Sequence, residues 1–509
     1  MTQLDASPVS TGPREVLAHR RRERLSRTEP KGVREFTARE RAEMLVDAGS
    51  FVEISPLRKA NETGGSGVII GWGMTSGHPV VVASHDAAIA SGAIGRIFAE
   101  QVMRAQRLAI DKGYPIVYIN DSGGANINDG IHALHGCGGI FHNNVMAQQK
   151  IPQISLILGP CAGAAAYSPA LTDWTIMVKG QGQMFLTGPE IVKAATGEDA
   201  HPDDIGGSLL HTKESGVAHL EVDTESDAFA AARLLLSFLP PRVNGPVKKT
   251  APIAPNIDAE FELPRLVPER TSVVFDMNKL LDGVLDAGPR FELSPTYGTS
   301  VLTLFGRLEG RPVGVVASQP NSRGGILDSK ASVKIARFVE FCGRFGLPIL
   351  TFVDVPGFLP GTVEEKRGVI THGAKVPKAY VEAPTPRLTV VVRKAYGGAY
   401  IAMGASSLGA DFSWAWANSE IAVMGPGGAV ALLHRRALKA SDNPTELRDA
   451  LAADYREQVA RPYLAAEAGI VDDVILPEET RSRMADALLL LSHEADSHGS
   501  VAHGSVAHV

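Results

Sequence analysis

Cysteine is scarce in this chain. Cys137, Cys161 and Cys342 are the only three in 509 residues. They lie far apart and form no CxxC pair, which argues against a zinc ribbon and gives a disulfide framework no support. Their ordinary reading is that of small buried residues. Excess charge of one sign is lacking too: the net charge is −6 and the pI about 6.2. Nothing in that balance calls for nucleic acid or an anionic membrane. No uninterrupted apolar run reaches the ~20 residues that cross a bilayer, and the N-terminus has no apolar signal core. A cytoplasmic protein is expected. The common side-chain signatures of catalysis are also missing: there is no GxSxG, HExxH, P-loop or GxGxxG.

Glycine (52 residues) and proline (32) are abundant. They sit between β-branched runs, which predicts an α/β protein with many tight strand-to-helix turns. The length suggests more than one domain. Residues 1–33 are polar, and Arg20-Arg21-Arg22-Glu23-Arg24 reads as part of a solvated or subunit-packing helix. Residues 38–46 predict a helix leading into the core. Strands are then expected over 67–71, 79–84, 115–120 and 151–158, with helices over 94–112 and 128–150.

A proline-rich connector spans residues near 240 to 262. Beyond it the programme repeats: strands over 301–306, 312–318, 348–353 and 387–393, and a helix over 332–345. This is the pattern of a duplicated domain. The expected division is an N-terminal domain over 34–250, a C-terminal domain over 251–490, and a disordered histidine-containing tail over 491–509.

Each half carries one glycine-alanine turn after a buried strand. The first is Gly159-Pro160-Cys161-Ala162-Gly163-Ala164-Ala165-Ala166-Tyr167. The second is Lys394-Ala395-Tyr396-Gly397-Gly398-Ala399-Tyr400. A helix start at a strand end leaves backbone N–H groups that can bind an oxyanion without a charged side chain. Neighbouring parallel strands bring a second loop to the same edge. Amides near Gly124-Ala125 are therefore expected to converge with those near Gly163-Ala164, and amides near Gly357-Phe358 with those near Gly398-Ala399. Two such holes point to a reaction in which two carbonyls become anionic. Asp121 and Asp354, at equivalent strand ends, read as caps of the following segment. Ser122, Ser168 and Ser322 read as turn and cap residues. His372 reads as a satisfied core histidine, with a hydrogen bond to substrate as the alternative.

These residues resemble a known family. Asp121-Ser122-Gly123-Gly124-Ala125, Tyr167-Ser168-Pro169-Ala170-Leu171-Thr172-Asp173 and Phe185-Leu186-Thr187-Gly188-Pro189 resemble the N-terminal half of acyl-CoA carboxylase carboxyltransferase β subunits. Asp354-Val355-Pro356-Gly357-Phe358, His372-Gly373-Ala374-Lys375, Arg393-Lys394-Ala395-Tyr396-Gly397-Gly398-Ala399-Tyr400 and Val423-Met424-Gly425-Pro426-Gly427-Gly428-Ala429 resemble the C-terminal half. The resemblance runs from about residue 36 to about 482 and is closest to the propionyl-CoA carboxylase type.

The resemblance implies tandem crotonase-like domains that transfer CO2 from carboxybiotin to the α-carbon of an acyl-CoA. The biotin is carried on a separate protein, a biotin carboxylase/biotin carboxyl carrier partner, and no metal is expected in this subunit. The resemblance also implies a hexamer of three dimers, with the N-domain of one subunit facing the C-domain of its partner. Gly163-Ala164 would match the hole for the thioester carbonyl, and Gly398-Ala399 the hole for the ureido oxygen of biotin. Gly124, Ala125, Gly357, Phe358, Tyr167 and Ile401 would contact substrate. The biotin left after CO2 release would take the α-proton, so no protein base is required. A decarboxylase or transcarboxylase subunit, or a non-catalytic β subunit, are the alternatives.

Three departures stand out. Asn126-Ile127-Asn128-Asp129-Gly130 replaces the family's Arg-Ile-Gln-Glu-Gly. Ile401 replaces an aspartate common in propionyl-type members, which suggests an altered acyl preference. The usual basic C-terminal ending is missing.

Overall fold

A computed structural model describes residues 12–25, 34–58 and 65–497. The chain divides into two compact units, Met1–Ser237 and Phe238–Val509. The proline-rich connector thus opens the second unit. Each unit is built on one eight-stranded sheet.

The first sheet contains β1 (Val52–Ile54), β2 (Val68–Thr75), β3 (His78–His85), β4 (Ile116–Ser122), β5 (Gln153–Ala162), β6 (Trp174–Val178), β7 (Gln183–Phe185) and β8 (Leu220–Val222). The order is β1-β2-β3-β4-β5-β6-β8, and β7 pairs with the end of β5. The hairpin β2–β3 is antiparallel, and the pairings from β3 onward are parallel. Strand β4 is buried along its whole length, as a strand covered on both faces must be, which explains its run of apolar residues.

The second sheet repeats the plan. It contains β9 (Phe291–Leu293), β10 (Val301–Leu308), β11 (Arg311–Ser318), β12 (Ile349–Val355), β13 (Arg387–Tyr396), β14 (Phe412–Trp416), β15 (Glu420–Ala422) and β16 (Asp473–Ile475). The order is β9-β10-β11-β12-β13-β14-β16, and β15 pairs with β13. The expected strands are all present, and most run a few residues beyond their predicted ends.

Helices cover the sheets. Ala38–Leu45 starts with a capping box in which Thr37 and Glu40 satisfy each other's backbone amides. Arg96–Lys112 ends at Gly113, whose φ of 68° closes the helix in the left-handed region. Ser329–Arg344, its counterpart, starts where the Asp328 carboxylate accepts from the Ala331 amide at 2.8 Å. The polar N-terminal stretch contains a helix over Pro13–Leu25. The last helix, Thr480–Ser497, continues past residue 490, so the expected tail begins as helix; residues 498–509 lie outside the described residues. All three cysteines are free and buried.

The two units correspond residue by residue at the strand ends. A register shift precedes Ser122↔Cys161 in the first sheet. The same shift precedes Val355↔Ala395 in the second. Lone parallel bridges follow in both, Ile94↔Ala125 and Leu327↔Phe358. Asp121 therefore matches Asp354, Ala125 matches Phe358, and Cys161 matches Ala395.

Candidate active site

The same register makes Gly163 the equivalent of Gly397, one residue earlier than the sequence comparison of the two turns implied. Both have positive φ, 55° and 59°, a backbone region that glycine enters without strain. Each turns its strand into a short helix, Ala164–Ala170 in the first unit and Gly397–Ala402 in the second. The matching pair one residue further on is Ala164 and Gly398.

Of the expected donors, two are already occupied. The Gly163 amide donates to the Phe185 carbonyl at 2.9 Å. The Gly124 amide donates to Ser122 Oγ at 3.2 Å. Their neighbours are different. The bridge to Ile94 engages the Gly124 carbonyl and the Asn126 amide, so the Ala125 amide points to the other side of its strand. The Ala164 amide begins a helix and has no partner within it. Neither donates to an acceptor among the described residues. The two loops leave the same sheet edge. A Cβ on Gly124 would lie 2.8 Å from the Ala162 carbonyl oxygen.

The second unit has the same arrangement. The Leu327 bridge engages the Gly357 carbonyl and the Leu359 amide, leaving the Phe358 amide without an acceptor among the described residues. The Gly398 amide is likewise unbonded there. Gly398 is exposed, whereas Ala399 is fully buried. Each unit thus presents an unbonded amide from a loop beside one from a helix start: Ala125 with Ala164, and Phe358 with Gly398; in the second unit the neighbouring Gly357 and Ala399 amides also donate to no acceptor among the described residues. Gly163 and Gly124 spend their amides within the first turn and shape it.

A cavity of about 570 Å³ opens beside the second pair, lined by Phe358, Leu359, Val369, Gly373, Gly398 and Ile401 among others. Its wall is mostly apolar. A Cβ on Gly373 would come 3.2 Å from the Phe358 ring, so glycine lets that ring settle against the helix. Tyr167 and Ile401 occupy equivalent positions one turn into their helices. Both are exposed beside the free amides, and Tyr167 packs edge-on against Phe141 with ring centroids 5.8 Å apart.

The strand-end aspartates are not caps. Asp121 is buried and accepts from Arg34 and from Arg41 Nη1, the latter at 3.0 Å. Arg41 also holds Glu225, with Nε 2.8 Å from Oε2. Burial disfavours the charged Arg41, but its bonds to Glu225 and Asp121 outweigh burial and raise its pKa. Asp354 is buried against Arg393, with Nη2 at 2.8 Å, and accepts the Lys394 amide at 3.0 Å. Both carboxylates are engaged in ion pairs, which removes them as free bases. No local spacing links residue 41 to residues 121 and 225, so no sequence pattern signals this network.

His85, also unanticipated, supports the first loop: its Nδ1 accepts the Asp121 amide at 3.3 Å. Burial pushes its pKa down to about 4, keeping the ring neutral. Ser318 Oγ fills the same role for Asp354 at 3.0 Å. Ser122, Ser168 and Ser322 make structural hydrogen bonds to Gly92, Asn144 and Thr299. His372 is half-buried, and its Nδ1 has no partner among the described residues, unlike a satisfied core histidine.

Residues 29–505 match the family model described as carboxyl transferase domain. The chain belongs to the carboxyl transferase family. This carboxyltransferase is 44% identical over 496 residues to the propionyl-CoA carboxylase carboxyltransferase subunit of Haloferax mediterranei, with 94% of this chain and 95% of the relative covered. It is 44% identical to the propionyl-CoA carboxylase beta chain of Saccharopolyspora erythraea, covering 91% of this chain and 90% of that one. Among solved structures it resembles the transcarboxylase 12S hexamer with methylmalonyl-coenzyme A bound. There the TM-score is 0.87 and the identity 39%, with 99% of both chains covered. The two sheets are tandem crotonase-like domains, and the enzyme class is biotin-dependent carboxyl transfer.

The departures from the family pattern have visible places. Asn126 Oδ1 accepts the Asn128 amide at 3.0 Å, and Asp129 Oδ2 accepts the Arg96 amide at 2.8 Å. Asn126, Asn128 and Asp129 line a cavity of about 330 Å³ with Arg96 and His132. Among the described residues no cluster of three or more His, Cys, Asp or Glu could hold a metal, and no helix is long and apolar enough to cross a membrane.

Proposed function

We propose that this carboxyltransferase moves CO2 from carboxybiotin on a carrier protein to the α-carbon of a short- or medium-chain acyl-CoA, with both oxyanions held by main-chain amides. The observation that carries this reading is the pair of unbonded amides at each of two equivalent turns.

Ala125 and Ala164 would bind the thioester oxygen. Phe358 and Gly398 would bind the ureido oxygen of biotin. The residues around the second pair fit that group: a compact ring with one acceptor oxygen suits an apolar cavity of about 570 Å³ with two free donors at its wall. Carboxybiotin, when docked, supplies the CO2 and a base for the α-proton. The chain's own residues orient the thioester, stabilise its oxygen as it becomes anionic, and exclude water. Each donor of this kind contributes about 100- to 1,000-fold in rate. Asp121 and Asp354 stay in their ion pairs throughout. Tyr167 and Ile401 would flank the acyl group, and the apolar Ile401 favours an apolar acyl chain over a polar one.

The protein would work in the cytoplasm as a hexamer of three dimers, with a biotin carboxylase/biotin carboxyl carrier partner. The free amides in both units speak against a non-catalytic subunit.

The test is reconstitution. The purified chain, a biotinylated carrier, biotin carboxylase, ATP and bicarbonate should carboxylate propionyl-CoA or a close homologue. Absence of turnover across acetyl-, propionyl-, butyryl- and longer acyl-CoAs with a cognate carrier would overturn the reading.

A further inference from the structure

The two turns share their backbone plan but not their support. In the second unit the residue before Gly397 is Tyr396, which is 7% exposed. Its hydroxyl donates to Glu420 Oε2. Glu420, on β15, is 4% exposed, and its other oxygen accepts from Arg456 Nε at 2.6 Å. Arg456 opens a π-helical turn over Arg456–Ala460, a rare geometry that often marks a functional site. The Tyr396 ring is pressed on Gly425, where a Cβ would lie 2.9 Å from it. Burial, reinforced by Glu420, raises the Tyr396 pKa, so the phenol stays a donor.

Among the described residues nothing of this kind serves the first unit. Ala162 matches Tyr396, and Gln183 matches Glu420, since Pro160↔Gln183 and Lys394↔Glu420 are equivalent pairs. Gln183 turns to Asp203 instead. A buried carboxylate is expensive unless fully paired, and here one oxygen is used on the residue that precedes the turn and the other on Arg456.

We infer that Tyr396, Glu420 and Arg456 form a clamp that positions the Gly397-Gly398 turn, and that they act as positioning residues for the second anion hole alone. The clamp ties three elements to one peptide: the end of β13, β15 and the π-helical turn. The assignment of that hole to biotin rests on the function proposed above; the clamp itself does not.

Tyr396→Phe deletes one oxygen, Glu420→Gln keeps the shape without the charge, and Arg456→Lys keeps the charge. The first readout is hydrogen exchange of the full-length protein by mass spectrometry. Peptides over 394–405 should exchange at least 10-fold faster in Tyr396→Phe and Glu420→Gln. Peptides over 161–172 should be unchanged, and Arg456→Lys should stay near the parent. The second readout is steady-state kinetics with the carrier. Tyr396→Phe and Glu420→Gln should lower kcat about 10-fold or more, with the KM for acyl-CoA unchanged.

Unchanged exchange over 394–405 overturns the clamp whatever the kinetics show, as does exchange that rises equally in both units. Local loosening with an unaltered kcat also overturns it. If the parent protein shows no turnover at all, the functional reading fails, while the exchange measurement still decides the clamp.

Discussion

The Gly163 amide donates to the Phe185 carbonyl at 2.9 Å. That bond pins the end of β5 to β7 and leaves Ala164 with the unbonded amide of the turn. Gly163 matters for its φ of 55°, not for its N–H. Alanine there has room, with its nearest neighbour 3.7 Å away, but at φ 55° and ψ −123° an L-residue is strained by about 1–3 kcal/mol. Gly163→Ala should lower stability by that amount in urea unfolding, and turnover should fall only as far as the turn relaxes.

Gly398 and Gly397 should behave in opposite ways. A Cβ on Gly398 meets nothing within 4 Å, whereas one on Gly397 lies 3.1 Å from the Val423 carbonyl at a φ of 59°. The first unit already carries alanine at the matching place, Ala164. Gly398→Ala should keep kcat within a few-fold. Gly397→Ala should reduce kcat by 10-fold or more and lower the melting temperature. Equal effects in a side-by-side assay would contradict the amide assignment.

His85 predicts a pH dependence of stability. Its pKa is depressed from 6.5 to about 4 in the folded protein. The unfolded chain therefore takes up the proton first as pH falls. Stability from this residue is complete above 6.5 and drains away between 6.5 and 4, a loss of about 3 kcal/mol at ~1.4 kcal/mol per pKa unit. His85→Gln keeps a neutral acceptor for the Asp121 amide. Urea unfolding at pH 7.5 and at pH 5 should show a smaller loss in the variant than in the parent.

Ile401 faces the mostly apolar cavity of the second unit. In the function proposed above the acyl group meets this wall beside biotin, so aspartate at position 401 would place a carboxylate against the acyl chain. Ile401→Asp should lower the kcat/KM ratio of butyryl-CoA to propionyl-CoA about 10-fold, within the ~1–3 kcal/mol that a methylene contributes in a hydrophobic pocket. Competition between the two substrates in one reaction measures that ratio directly.

The strands and the duplication could be read in the sequence because buried parallel strands need apolar runs, and Val117-Tyr118-Ile119 and Leu350-Thr351-Phe352 show them plainly. The turns could be read because Gly163 and Gly397 sit where only glycine is relaxed. Which member of each expected pair keeps an unbonded amide was not legible: in the first unit it is Ala125 and Ala164, while Gly124 and Gly163 are bonded. Which amide is free depends on pairing across the chain, and neither the Phe185 carbonyl nor the Ile94 bridge can be located from local pattern. The aspartate partners were hidden for the same reason: Arg41 reaches Asp121 and Glu225 only once three distant segments have packed. His85 lies just past the expected strand 79–84, and no local pattern marks its bond to the Asp121 amide.

The most direct test removes one hydrogen atom's worth of function. Ala164 is the first residue of its helix, a position that tolerates proline, so Ala164→Pro deletes the donor and keeps the helix start. In the reconstituted carboxylation of propionyl-CoA, turnover should fall about 100-fold or more, with the melting temperature close to the parent's. Full activity in a folded Ala164→Pro protein would contradict the assignment of catalysis to main-chain amides.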